Sequence, residues 1–133
     1  MRYKKYLKLI LATVLSVALA ACVHVSSFVR HEGEGLTVYA GEGSDLAPIL
    51  AGEAEKSVAA IAGALSLPVP TAPLKVYLFP NGLGMMNYLA VKCPKQAMSA
   101  AACFATDEGF TVTVVDRGRR DKTMEHLRHE LTH

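Results

Sequence analysis

The residues best placed to do chemistry lie together at His129-Glu130-Leu131-Thr132-His133. On a helix, side chains four apart leave the same face one turn apart. Two imidazoles so placed can converge on one tetrahedral ion, and zinc accepts nitrogen ligands of this kind. Glu130 stands beside them and can reach a water on that ion. Zinc lowers the pKa of such a water, and a carboxylate can take its proton as it attacks a polarised carbonyl. The same carboxylate can later pass the proton to a leaving amine. His129 and His133 are therefore the candidate zinc ligands, and Glu130 the candidate catalytic base. The alternative is an amphipathic helix that merely exposes His and Glu. His126, one turn earlier, reads as a solvent-facing or rim residue. Arg117, Arg119, Arg120 and Lys122 read as a solvated basic cluster.

A helix must present this motif, and its pattern begins near Asp121, which suits an N-cap. Met124, Leu127 and Leu131 would seat it on a core. Before it, Phe110–Val115 reads as a strand, with Thr111 and Thr113 on one face and Val112 and Val114 on the other. Leu74–Phe79 is apolar on both faces after Lys75, which predicts an inner strand. Leu36–Ala40 is a shorter strand candidate. Between them Leu46, Leu50, Ala54, Val58, Ile61 and Leu65 recur at helical spacing, with Asp45 as the expected cap. The Pro-rich run from Leu67 to Pro73 ends that helix. Residues 83–90 suit a short helix. Ala97–Ala102 is helix-friendly by composition alone.

The motif has the H-E-x-x-H form of zinc metallopeptidases. With the order of elements around it, the chain resembles the N-terminal lobe of the zincins, and more narrowly the bacterial peptidase MA-like domains. The pieces that carry the resemblance are Leu36–Ala40, Leu46–Leu65, Leu74–Phe79, Phe110–Val115 and His129–His133. It implies a zinc cofactor, a peptide or protein substrate, and an edge strand that pairs with extended substrate. That role would fall to Phe110–Val115 or the residues just before it. In this family the third zinc ligand follows the motif, whereas this sequence ends at His133. Glu125, His126, Asp107 and Glu108 are upstream substitutes without a geometric argument. The expectation is a third ligand from sequence beyond residue 133, a lobe truncated after the motif, and little activity from this chain alone.

The N-terminus carries a different signal. Arg2, Lys4, Lys5 and Lys8 precede an uncharged run of 13 residues, Leu9–Ala21. That is shorter than the roughly 20 needed to span a bilayer. Leu19-Ala20-Ala21-Cys22 resembles the bacterial lipobox, so residues 1–21 read as a lipoprotein signal and Cys22 as the acylated residue. Val23 rather than Asp after it points, by the same resemblance, to an outer-membrane protein facing the periplasm where the host has that membrane. Plain secretion and an uncleaved anchor are the alternatives. Residues 22–35 read as a tether.

Removing the signal leaves 10 basic and 12 acidic side chains, a formal charge of −2. Charge thus offers no case for nucleic-acid binding. Cys93 and Cys103 would meet an oxidising compartment, where a disulfide is the expectation and two buried thiols the alternative. The whole reads as an α+β domain over residues 36–133, a small mixed sheet with helix 46–65 and the motif helix on one face. The expected core is Val38, Leu50, Val58, Ile61, Leu65, Val76, Leu78, Val112, Val114, Leu127 and Leu131. The function implied is zinc-dependent peptide hydrolysis by a membrane-tethered exported protein. The other readings are a non-catalytic envelope lipoprotein and a zinc-carrying lipoprotein.

Overall fold

Strand-forming residues gather in five places, and a computed structural model describing residues 27–133 assembles them into one mixed sheet. The strands are β1 (Val29–Glu32), β2 (Leu36–Ala40), β3 (Leu74–Phe79), β4 (Ala101–Thr106) and β5 (Gly109–Val115), in the order β1-β2-β3-β5-β4. The helices are α1 (Leu46–Ala64), α2 (Gly82–Lys92) and α3 (Arg120–Leu131). The fold is mixed α+β. Residues 1–21 and Cys22, read as export signal and lipidation site, lie outside the described residues. No helix among the described residues is long and apolar enough to cross a membrane.

β2, β3 and β5 run parallel, and the two outer strands run against them. β3 is the central strand, as its two-sided hydrophobicity predicts. Val38, Val76, Leu78, Val112 and Val114 point to one face, where they meet Leu50 and Ala54 of α1 and Met124 and Leu127 of α3. The other face carries Phe79 and Val115 under Met85 and Leu89 of α2. Asn81 caps α2 by accepting a hydrogen bond from the Gly84 N–H at 2.8 Å.

Several sequence expectations are corrected. Within the supposed tether, Val29–Glu32 pairs with β2 as an edge strand, and Phe28 packs edge-on to Phe79. Ala97–Ala102 is not helical. A short 3-10 turn, Pro94–Gln96, leads instead into β4. A two-residue loop, Asp107-Glu108, then joins β4 to β5. Gly109 begins β5 at φ 133°, where any Cβ would collide with the Pro73 carbonyl oxygen. β5 is consequently interior, and the free edge beside it belongs to β4.

Asp45 occupies the cap position of α1 without a side-chain hydrogen bond. Leu65, expected in the core, is 56% exposed, and Val58, Ile61 and Leu131 are only half-buried. The exposure of Leu65 follows from the way α1 stops. Ser66 adopts φ 54°, the Leu67 N–H bonds back to the Ala62 carbonyl, and the Ser66 N–H to that of Gly63. This is the Schellman geometry, which turns the chain aside before the last apolar residue can tuck under.

Candidate functional site

The candidate site is built on α3. Arg119 holds the cap position rather than Asp121, which lies in the first turn. No side chain caps this helix start, and buried Thr123 instead ties the incoming loop to the first turn. Its hydroxyl donates to the Arg119 carbonyl at 3.2 Å and accepts from the Arg117 N–H at 3.4 Å. Asp121 instead pairs with Arg119 at 2.9 Å, and that guanidinium holds its carboxyl below the usual carboxylate range. A negative charge in the first turn also suits the helix dipole. Met124 and Leu127 fix the inner side of α3, and Arg128 reaches Glu53 of α1 at 3.3 Å.

At its far end α3 tightens. The His133 N–H bonds the Glu130 carbonyl at 3.2 Å, a three-residue span that satisfies one of the helix's last carbonyls. The His129 and His133 rings face each other nearly edge to face, with centroids 5.0 Å apart and planes at 79°. Their Nε2 atoms are 3.4 Å apart. Both rings are exposed, and Glu130 between them is half-buried.

Glu130 lies close to Cys103 of β4. Burial pushes the Cys103 thiol up, and the Glu130 carboxylate pushes it the same way. Nothing in the sequence placed these two residues together, because β4 was not recognised as a strand. His126 is half-buried, as a rim residue would be, and its Nδ1 is enclosed without a hydrogen-bond partner.

The upstream residues do not complete a metal site. Glu125 is taken by Lys122 at 2.8 Å, and Glu108 is paired with Lys75. Among the described residues, no group of three His, Cys, Asp or Glu side chains is placed to hold an ion. The expected Cys93–Cys103 disulfide is not formed, and both thiols are free. Cys103 packs with the core under α1 and α3, whereas Cys93 packs with the α2 side. The sheet stands between them.

A cavity of about 290 Å³ opens between the ends of α1 and α3 and the starts of β2, β3 and β5. Glu130 and His133 line one part of it. The exposed side chains of Leu65, Leu67 and Val69 line another.

No protein-family model, curated protein or solved structure matches this chain.

Proposed function

We propose that the chain is part of an exported zinc-dependent peptidase, with His129 and His133 as metal ligands and Glu130 as the base. One observation carries the reading, the 3.4 Å separation of the two imidazole Nε2 atoms. Two nitrogens on a tetrahedral zinc, each bound at its usual length, stand about 3.3 Å apart. The spacing of the pair therefore matches that of two nitrogens on one ion. Zinc bound there supplies Lewis acidity toward a carbonyl and toward water.

The protein's own part falls to the carboxylate. Glu130 is half-buried and belongs to no ion pair among the described residues. Its oxygen is free to accept a proton from an attacking water and return it to the leaving amine nitrogen. An extended peptide would add to the free edge of β4, the strand that carries Cys103 beside Glu130. A catalytic zinc site wants three protein ligands, so this reading requires one more from outside the described residues. The zincin-type lobe, the lipid anchor at Cys22 and a place in the cell envelope belong to the same proposal. A second reading, a non-catalytic envelope module, draws on the absence of a third ligand among the described residues.

Zinc titration of the full chain tests the site. His129→Ala and His133→Ala should each weaken binding about tenfold or more, since each removes one of two ligands. Glu130→Gln should leave zinc binding intact and, with the ligand set complete, abolish peptide hydrolysis. Equal zinc affinity in the wild type and both His variants would sink the peptidase reading and favour the module.

A further inference from the structure

The cavity beside Glu130 combines two properties seldom found together. Its walls are mainly aliphatic, with Val58 and Ile61 of α1, Leu65 and Leu67 of the following loop, and Leu131 of α3. Its charged lining residues are Glu34, Glu55 and Glu130, and no lysine or arginine lines it. None of the three carboxylates joins an ion pair among the described residues. One oxygen of Glu55 is enclosed without any hydrogen-bond partner, where it leans against Gly33. Glu55 as a whole is half-buried, so the group still faces the cleft, and three unpaired carboxylates around apolar walls favour a cation between them. At about 290 Å³ the space lies at the small end of ligand sites. It suits one long side chain.

We propose that this cleft binds a basic side chain, arginine or lysine, of a polypeptide ligand. The aliphatic stem would lie along Leu65, Ile61 and Leu131, and the cationic head would meet Glu55 and Glu34. Such side chains divide in this way, stem on apolar surface and head on a charge. Arginine is favoured, because its guanidinium is less strongly hydrated and matches a carboxylate with two parallel donors. A purely apolar ligand would leave the Glu55 oxygen unpaired, and an acidic one would be repelled. The inference deepens the peptidase reading by naming a substrate class, since Glu130 and His133 border the same cleft.

The test reads binding alone, with chelator present, so that neither zinc nor hydrolysis enters. The full chain in lipid nanodiscs is titrated with a fluorescent acetyl-Leu-Arg-Leu-amide peptide and with its citrulline counterpart, which keeps the shape and loses the charge. The arginine peptide should bind about tenfold more tightly, the worth of a charge-assisted pair. Glu55→Gln should bring the arginine peptide down to the citrulline level and leave the citrulline peptide unchanged. Leu65→Ser, at a solvent-exposed position, should weaken both. Equal affinity for the two peptides, no saturable binding, or indifference to Glu55→Gln overturns the proposal. So does self-association of the chain that Leu65→Ser abolishes, because the cleft would then belong to a second copy. Arginine-selective binding together with no zinc at His129 and His133 would keep the cleft and remove the peptidase. The reverse result would keep the peptidase and remove the cleft.

Discussion

The two faces of the sheet are finished differently. One is covered by α1 and α3, and its core is aliphatic from Val38 across to Val114. The other is covered by α2 alone, and aromatic rings fill in. Tyr39 stacks on Tyr77 at 4.8 Å, and Tyr88 closes on Tyr77 and Phe79 at 5.2 and 5.4 Å. Burial pushes the Tyr88 phenol well up. The aromatic face is thus covered by few elements and large rings, its three tyrosines half-buried. The aliphatic face has two helices but stays open where they end, and that opening is where the motif lies. The candidate chemistry sits on the better-supported face, at its least finished edge.

Cutting one buried leucine on each face sharpens the contrast most. Leu127 and Leu89 are both fully buried, and Leu127→Ala or Leu89→Ala should each cost about 2–5 kcal/mol in denaturant unfolding. Only Leu127→Ala should also loosen zinc binding, because Leu127 seats the helix that carries both imidazoles. If Leu89→Ala weakens zinc as much, the two faces are not separable and the comparison fails.

The cysteines report the same division at smaller amplitude. At fixed mildly alkaline pH, Cys103 should alkylate slowly, since burial and Glu130 both hold its thiol protonated. Removing the neighbouring charge lowers the thiol's pKa and enlarges the thiolate fraction. Glu130→Gln should therefore speed alkylation of Cys103 by about threefold. Cys93, across the sheet, should react at an unchanged rate. Peptide mapping by mass spectrometry separates the two sites. A response confined to Cys93 would place Glu130 on the wrong side.

The smallest effect concerns the open edge itself. Ser66 holds φ 54°, a conformation that costs a non-glycine residue roughly 1 kcal/mol. Ser66→Gly should raise the unfolding free energy by about that amount. A loss of stability would mean that the turn after α1 is not held in the left-handed conformation.

Legibility in the sequence followed the same physics. Leu74–Phe79 declares itself by being apolar on both faces, and Phe110–Val115 by its run of β-branched residues. The motif helix is legible because its imidazoles and its apolar residues each recur at helical spacing. β4 is not, because Ala101-Ala102-Cys103-Phe104-Ala105-Thr106 takes its conformation from pairing with β5. β1 hides for a similar reason, since Arg30 and Glu32 are exposed and the strand is held by its backbone bonds to β2. Which face each cysteine joined depended on β4 and was lost with it. The bonds of Thr123 to Arg117 and Arg119 need the third dimension, as does the enclosed oxygen of Glu55.

The direction of β1 has a consequence for how the molecule is presented. Val29 pairs with Ala40, at the end of the parallel strands opposite Leu36, Leu74 and Phe110, and those three share the cleft with His133. The two ends of β2, Leu36 and Ala40, stand four residue steps apart, about 13 Å of strand. The start of β1 thus lies at the pole remote from the imidazoles. An approach to the histidines is therefore an approach to the end of the sheet where β2, β3 and β5 begin, and the edge strand β1 enters from the other end.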